Sequence, residues 1–332
     1  MLPLRDYNGL ILIKTYLNKV NMKIITAVIA LLFSTLVSAA MPLNKMVVFG
    51  DSLSDNGNLY EYLKHQLPVS PPYFLGRFTN GPVWVEILMK DYYPVDSKDH
   101  LFDYAFGGAG VMEDDDDGDD LFTLRREMDG YFLANQDKAD EQSMYVVWIG
   151  ANNYLAVPEN PDQELNNVNL GIKHGLQRLI DKGAKHIMVV NLPNLGITPA
   201  AKQFDAVDEL TYLSKEHNKM LAESVLNLQT QYPAVQFIYL DVNVTFEDLM
   251  EHPANYGFSN VTDTCYEEAA LGNNGANSLL KMVASVNAKT STGSSACDGY
   301  LFFDPVHPSG PAHMLLADRA KSLFDEKGVV FE

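Results

Sequence analysis

Short apolar runs alternate with longer amphipathic segments along most of this chain, and the alternation restricts its fold more than any other feature. The apolar runs have the length of single buried strands and cover residues 46–49, 102–106, 145–149, 187–191 and 237–241. Apolar residues recur at helical spacing in residues 83–92, 121–135, 165–182, 210–232 and 308–327. Strand and helix in series predict an α/β fold with a parallel sheet and helices on both faces. Five strands suit a three-layer α/β/α sandwich with a mostly parallel, flavodoxin-like sheet.

Residues 242–303 interrupt this alternation. They are rich in Asn, Ser, Thr and Gly, and they contain both cysteines of the chain, Cys265 and Cys297. An irregular stretch of this length within a compact domain is typical of a functional covering loop. We therefore predict that residues 41–332 form one domain and that residues 242–303 cover part of it.

The N-terminal region has the features of a secretory signal peptide. An apolar run at residues 24–37 leads into the small residues Ser38-Ala39-Ala40. The run is too short to span a bilayer as a helix. Residues 1–40 are therefore predicted to direct secretion to the periplasm or the medium, with a retained membrane anchor as the alternative. A start at Met22 gives the usual layout of such a peptide, which makes residues 1–21 an overlong gene start.

Export also bears on the two cysteines, because an even number of cysteines in an exported protein is typical of disulfide bonding. Cys265 and Cys297 are predicted to form one disulfide. This disulfide closes a loop of about thirty residues and stabilises the fold by about 3 kcal/mol. Two free, buried thiols are the alternative.

The chain is strongly acidic, with 43 acidic and 24 basic residues and a formal net charge of -19. The predicted signal peptide holds four of the basic residues and one of the acidic ones, so the mature charge is about -22. Repulsion from phosphate groups predicts that the protein has no nucleic-acid partner. The same charge disfavours adsorption to anionic bilayers.

The acidic run at residues 113–120 suggests a calcium site at first reading. If Gly118 is placed sixth in an EF-hand loop, the twelfth position falls on Leu124, where a bidentate Glu is required. The EF-hand is therefore excluded, and a solvated acidic loop is predicted, with an irregular cation site as the alternative. The sequence predicts neither a metal nor a cofactor.

A candidate nucleophile follows the first predicted strand directly, in Gly50-Asp51-Ser52. The carboxyl edge of an open α/β sheet is where ligands bind, but a serine hydroxyl needs a base to become a nucleophile. Asp304-Pro305-Val306-His307 places a carboxylate three residues before an imidazole, just ahead of the last predicted helix. His313, within that helix, is the nearest competing base. Asp51 is interpreted as a turn and helix-start residue.

The ends of two other predicted strands carry groups that can donate hydrogen bonds to an oxyanion. Gly107-Gly108 follows the second strand, and glycine allows a backbone N–H to approach a ligand closely. Asn152 and Asn153 follow the third strand, and an amide side chain donates a hydrogen bond without carrying charge. The alternative is a pair of ordinary strand-to-helix turns, with Asn as a helix N-cap.

Together these stretches resemble the GDSL or SGNH hydrolase family, and within it the secreted bacterial phospholipase A, lysophospholipase and glycerophospholipid:cholesterol acyltransferase group. In chain order, the stretches that carry the resemblance are Gly50-Asp51-Ser52-Leu53-Ser54-Asp55-Asn56-Gly57-Asn58, Gly76-Arg77-Phe78-Thr79-Asn80-Gly81, Tyr104-Ala105-Phe106-Gly107-Gly108-Ala109, Gly150-Ala151-Asn152-Asn153 and Asp304-Pro305-Val306-His307-Pro308. The chain departs from the family pattern at Asp103, which is often Asn, and at Asn153, which is often Asp.

The resemblance implies an ester hydrolase with Ser52 as nucleophile, His307 as base and Asp304 as the partner of the base. It places the oxyanion between the backbone N–H of Ser52, the N–H of Gly108 and the side chain of Asn152, and Gly107 stays open as an alternative to Gly108.

The implied substrate is a lipid ester, a lysophospholipid or phospholipid, cleaved by a monomeric protein in transient contact with membranes or micelles. Cholesterol as the acyl acceptor, a carbohydrate O-deacetylase or general carboxylesterase, and a non-catalytic adhesin are the alternatives.

Overall fold

The structure is a computed structural model that describes residues 42–112, 122–266 and 297–332. The predicted signal peptide, the acidic run and most of the interval between the two cysteines lie outside the described residues. Contacts between Cα atoms group the chain from Pro42 to Glu332 into one compact unit.

A sheet of five parallel strands forms the centre of this unit. The strands are β1 (Lys45–Gly50), β2 (Leu101–Asp103), β3 (Ser143–Trp148), β4 (His186–Val190) and β5 (Gln236–Leu240). Their order is β2-β1-β3-β4-β5, and every neighbouring pair is parallel. This is the flavodoxin-like order. The predicted three-layer fold with a five-stranded parallel sheet is therefore confirmed.

Helices cover both faces of the sheet, and this is why the strands are continuous apolar runs. All six residues of β3 are buried. The α-helices among the described residues are α1 (Asn58–Tyr62), α2 (Trp84–Tyr92), α3 (Ser97–His100), α4 (Leu124–Ala134), α5 (Ala151–Leu155), α6 (Pro161–Asp181), α7 (Pro199–Gln203), α8 (Val207–Gln231), α9 (Val242–Glu251) and α10 (Gly310–Lys327). None of them combines the length and apolar character needed to cross a bilayer.

The second strand is shorter than predicted, because β2 ends at Asp103 and not at residue 106. The chain stays beside β1 after that point, and the Phe106 N–H still donates to the Gly50 carbonyl at 3.1 Å. The glycines that follow turn the chain away from the sheet, with Gly108 at φ +81°. This early turn brings the glycine loop over the end of β1.

The stretch predicted as an irregular loop, residues 242–303, begins instead with helix α9. Asp241 caps this helix by accepting a hydrogen bond from the Val244 N–H at 3.1 Å. Its apolar side chains recur at helical spacing and bury one face of the helix, namely those of Val242, Phe246 and Leu249. In this part of the chain, the periodicity of the apolar residues therefore predicts the local structure better than the polar composition does.

Further along the same stretch, a short parallel pair forms between β6 (Asn260–Thr264) and β7 (Tyr300–Phe302). Cys265 and Cys297 lie next to these strands and are joined by a disulfide, with their Cα atoms 5.1 Å apart. The described parts of the covering segment are thus tied to the chain that leads into α10.

Candidate active site

Ser52 lies in a tight turn at the carboxyl end of β1. The Asp51 carbonyl accepts hydrogen bonds from the N–H groups of Ser54 and Asp55 at 3.0 and 2.9 Å, and the Asp51 side chain accepts from Leu53 N–H at 3.0 Å. Asp51 therefore acts as a turn residue, as its sequence position indicated. Gly50 allows the turn to pass close to β3, because a Cβ there would lie 2.5 Å from the Trp148 carbonyl oxygen.

His307 and Asp304 meet Ser52 at this edge of the sheet. The His307 Nε2 atom lies 2.8 Å from the Ser52 Oγ atom, and its Nδ1 atom lies 2.6 Å from Asp304 Oδ2. All three residues are buried, with exposed fractions of 7% for Ser52, 3% for His307 and 2% for Asp304. The structure thus brings together the three residues that sequence reasoning selected for a hydrogen-bonded series.

A local turn fixes the Asp304 carboxylate. Its Oδ1 atom accepts hydrogen bonds from the backbone N–H groups of Val306 and His307 at 2.9 and 2.8 Å. Burial by itself would raise the pKa of Asp304, but the positive charge of His307 and the hydrogen bonds to the carboxylate hold the pKa below its ordinary value. Asp304 therefore stays ionised beside the imidazole.

The competing histidine, His313, lies in α10 and contacts the backbone of α2, not Ser52. It is buried, and its Nδ1 atom accepts a hydrogen bond from the Trp84 N–H at 3.3 Å. Burial, followed by the charge of His307, lowers the pKa of His313 to about 3. A neutral imidazole that accepts from the backbone is a structural group, and the imidazole within hydrogen-bond distance of Ser52 is that of His307.

The two candidate glycines for an oxyanion site differ in what their N–H groups do. The Gly107 N–H donates to Asp55 Oδ2 at 2.7 Å, whereas the Gly108 N–H has no hydrogen-bond partner within the described ranges. The Asn152 side chain donates to the Ala109 carbonyl at 2.8 Å, which holds the amide against the same loop and leaves its second N–H available. The geometry favours Gly108 over Gly107 as a donor to a ligand.

Asp55 connects the two loops, a role that sequence reasoning missed. It is fully buried, and its carboxylate accepts four backbone hydrogen bonds at 2.6 to 3.2 Å, from Gly57, Asn58, Leu59 and Gly107. Burial raises the pKa of Asp55 to about 6, against the lowering effect of these N–H groups. The available signal was the position of Asp55 just before a helix start, a typical place for a capping aspartate.

Three more carboxyl groups are buried at or beside the turn that carries Ser52. Asp103 accepts from the Ala105 N–H and Glu127 from the Gly50 N–H, both at 2.9 Å. Asp51, Asp103 and Glu127 each keep one buried oxygen that has no hydrogen-bond partner in the described part of the chain. Burial raises the pKa of Asp51 to about 6, and burial together with repulsion between the carboxylates raises the pKa of Asp103 and Glu127 well above the ordinary range.

We expect Asp103→Asn to stabilise the protein, and to do so more at higher pH. When folding raises the pKa of a carboxyl group, the contribution of that group to stability is complete below its unfolded-state pKa. The contribution is lost as the pH rises through the folded-state pKa. Asparagine keeps an oxygen for the Ala105 N–H and cannot ionise. The expected gain is about 1–2 kcal/mol at pH 8 and less at pH 5, measured by urea unfolding.

The matched control for this prediction is Asp99→Asn, which changes an exposed aspartate. Its unfolding free energy should stay within about 0.5 kcal/mol of wild type at both pH values. A gain for Asp103→Asn that is larger at pH 5 than at pH 8 would contradict the assignment of a raised pKa.

An apolar cleft opens beside Ser52 and His307. The polar groups on its wall include Asn152, Asn194 and Thr198, and most of the rest is apolar, including Leu53, Trp148, Leu155, Ile197, Phe246 and Phe302. Such a wall suits a ligand with a hydrocarbon part next to the serine hydroxyl. Elsewhere in residues 42–112, 122–266 and 297–332, no three His, Cys, Asp or Glu side chains gather in a metal-binding arrangement.

Comparison with known proteins identifies the family of the chain. The family profile described as GDSL-like lipase/acylhydrolase matches residues 46–320. The chain is 30% identical over 315 residues to phosphatidylcholine-sterol acyltransferase of Aeromonas hydrophila, and the match covers 86% of this chain and 91% of that protein. The chain therefore belongs to the GDSL-like lipase/acylhydrolase family. It is a hydrolase that acts on ester bonds.

Two more distant relatives are longer than this chain. The secreted effector protein SseJ of Salmonella typhimurium is 28% identical over 284 residues, which cover 83% of this chain and 62% of that protein. The thermolabile hemolysin of Vibrio parahaemolyticus is 26% identical over 290 residues, which cover 83% of this chain and 63% of that protein. The chain thus spans a little under two thirds of the length of these two relatives.

Proposed function

We propose that the protein cleaves fatty acyl esters of lysophospholipids and phospholipids through an acyl-enzyme on Ser52. One observation carries this proposal. His307 lies between Ser52 and Asp304, with Nε2 at 2.8 Å from Ser52 Oγ and Nδ1 at 2.6 Å from Asp304 Oδ2, and Ser52 opens onto an apolar cleft. Nucleophilic acyl transfer requires a serine that is hydrogen-bonded to a base, and a third group that orients the base.

In the first step, Ser52 Oγ attacks the ester carbonyl while His307 Nε2 accepts the hydroxyl proton. Asp304 stabilises the imidazolium that forms. The oxyanion of the tetrahedral intermediate accepts hydrogen bonds from the Ser52 N–H, the Gly108 N–H and the Asn152 amide, each worth about 3 kcal/mol. Collapse of the intermediate breaks the ester C–O bond, and His307 returns its proton to the leaving alcohol.

The second step regenerates the serine. Water attacks the acyl-enzyme carbonyl as His307 accepts one of its protons. Collapse then breaks the bond to Ser52 Oγ, which takes that proton back from His307 as the fatty acid leaves. The same oxyanion donors serve both steps, because both pass through a tetrahedral intermediate at the same carbonyl.

The cleft supports a long-chain acyl group over an acetyl group. Each methylene that leaves water for an apolar surface contributes about 0.8 kcal/mol, so a long chain gains several kcal/mol that an acetyl group cannot. The formal charge of -19 disfavours anionic bilayers and supports monomeric, micellar or zwitterionic lipid. These points favour a lipid substrate over an acetylated carbohydrate.

A second candidate activity is acyl transfer to a sterol. It is supported by the relative named phosphatidylcholine-sterol acyltransferase, of which the match covers 91%. The chemistry differs only in the second step, where a sterol hydroxyl replaces water as the nucleophile. The balance between the two activities depends on which acceptor reaches the acyl-enzyme first.

Secretion is proposed on separate grounds. The apolar run after Lys23 supports export of a mature domain that starts at about residue 41. The bond between Cys265 and Cys297 suits the oxidising compartments outside the cytoplasm.

A lipid panel tests the proposed function. We expect the purified protein to release fatty acid from palmitoyl-lysophosphatidylcholine with a kcat/KM at least about 100-fold higher than for acetate release from acetylated xylan. Parallel reactions with cholesterol should be analysed for steryl ester, which reports the second activity. Faster release of acetate than of fatty acid would overturn the lipid assignment.

A further inference from the structure

The Asp304 carboxylate receives a hydrogen bond from outside its own loop. Its Oδ2 atom, which already accepts from His307, also accepts from the Tyr73 hydroxyl at 2.7 Å. Tyr73 lies 231 residues earlier in the chain and is 2% exposed. Water is thus kept away from this bond, and a hydrogen bond to a buried carboxylate is stronger than one on the surface.

Aromatic packing fixes the position of the Tyr73 hydroxyl. The ring contacts Phe303 edge to face at 5.0 Å between centroids, and it contacts Phe78 and Tyr266 at 6.2 Å each. Tyr266 follows Cys265 directly, so the disulfide with Cys297 holds this side of the aromatic cluster of Tyr73, Tyr266 and Phe303 in place. A ring held on three sides has little freedom to turn its hydroxyl away from Asp304.

The same stretch of chain also holds the loop that carries His307. The Thr79 hydroxyl donates to the Pro308 carbonyl at 2.9 Å, and Asn80 Oδ1 accepts from the Gly310 N–H at 2.7 Å. The Phe78 ring lies 5.2 Å from the His307 ring. Residues 73–80 therefore contact the histidine loop from Asp304 to Gly310.

We infer that Tyr73 is a positioning residue, whose hydroxyl holds the Asp304 carboxylate against His307 and so sets the pH range in which His307 acts as a base. The inference rests on the proposed function, because it assumes that His307 is the base.

The sign of the effect follows from electrostatics. A hydrogen bond to a carboxylate stabilises its ionised form and reduces its pull on a neighbouring proton. Without the Tyr73 hydroxyl, Asp304 draws the proton on the His307 ring more strongly, and His307 becomes a free base only at higher pH. Within the described residues, Asp51 from the turn that carries Ser52 and His313 from α10 also interact electrostatically with His307, and both stay in place in the Tyr73→Phe variant.

The test compares the pH profile of kcat/KM for p-nitrophenyl butyrate in wild type and Tyr73→Phe. We expect the acid limb to move to higher pH by about 0.5–1 unit in the variant. At a pH well below the midpoint of the acid limb this shift lowers kcat/KM about 3–10-fold, whereas at pH 9 the two proteins should agree within about threefold. The variant should stay folded, because phenylalanine keeps the ring packing, and the lost hydrogen bond should lower the melting temperature by only a few degrees.

Tyr131→Phe is the matched control. Tyr131 is also buried and hydrogen-bonded, but its hydroxyl pairs with Tyr145, away from the histidine loop. This variant should show the wild-type profile. A Tyr73→Phe profile that superimposes on wild type, or one lowered by the same factor at every pH together with a lower melting temperature, would overturn the inference.

Ser52→Ala in the same assay separates this inference from the proposed function. Full activity in Ser52→Ala would reject the proposed function itself. An inactive Ser52→Ala together with an unshifted Tyr73→Phe profile would reject only the role of Tyr73.

Discussion

Replacement of Ser52 with alanine should lower kcat/KM for lysophosphatidylcholine by about 10⁴-fold or more. The hydroxyl oxygen that forms the acyl-enzyme is then missing, and only the oxyanion donors and substrate binding are left. The protein should stay folded, because the Ser52 side chain contacts His307 and fills no part of the core. Fatty acid release, labelling by a fluorophosphonate probe and the melting temperature measure these three expectations.

Ser54→Ala provides the control in the same turn. Ser54 is fully buried, and its hydroxyl accepts from the Trp84 indole N–H at 3.1 Å, not from His307. Its loss should cost about 1 kcal/mol of stability and leave kcat/KM within a few-fold of wild type. Turnover by Ser52→Ala within tenfold of wild type would reject Ser52 as the nucleophile.

The second large effect is expected for His307→Asn, with a loss of about 10³–10⁴-fold in kcat/KM. Without the imidazole, hydroxide from solution must accept the serine proton. Residual activity should therefore rise with pH across the range in which wild type has reached its plateau. A stopped assay of fatty acid release between pH 6 and pH 10 measures both the loss and the slope. Asp304→Asn should be milder, because the imidazole is still present.

His313→Gln tests the competing base. Glutamine can still accept the hydrogen bond from the Trp84 N–H, so the fold should tolerate the change. Its kcat/KM should stay within about tenfold of wild type, since His313 makes no contact with Ser52 in the described structure. A folded His313→Gln with the same loss as His307→Asn would show that the base has been assigned wrongly.

The layers of the fold could be predicted because each of them depends on local periodicity. Strands buried on both faces are short apolar runs, and the helices beside them repeat apolar residues every three to four positions. The same criterion applied to residues 242–251 would have found α9, where Val242, Phe246 and Leu249 share one face. The polar composition of residues 242–303 as a whole led to the prediction of a loop, although residues 242–251 carry apolar side chains at helical spacing.

The site could be predicted only in part. Ser52, Asp304, His307 and the amide of Asn152 each belong to a short motif at a strand or helix end, and the parallel sheet brings those ends to one edge. The contacts of Tyr73 with Asp304 and of Glu127 with the Gly50 N–H join residues 231 and 77 positions apart. Neither pair has a local signature, because such contacts depend on side-chain packing between distant segments.

The separation of Ser52 and His307 by 255 residues has a consequence for when activity begins. Every strand of the central sheet except β1 lies between them in the chain, so a ribosome that has made the turn with Ser52 has still to make most of the domain. On the proposed roles, a nascent or half-translocated chain has no base for its serine. On the proposed function, hydrolysis of membrane lipid therefore starts only once the whole domain has been made and has folded.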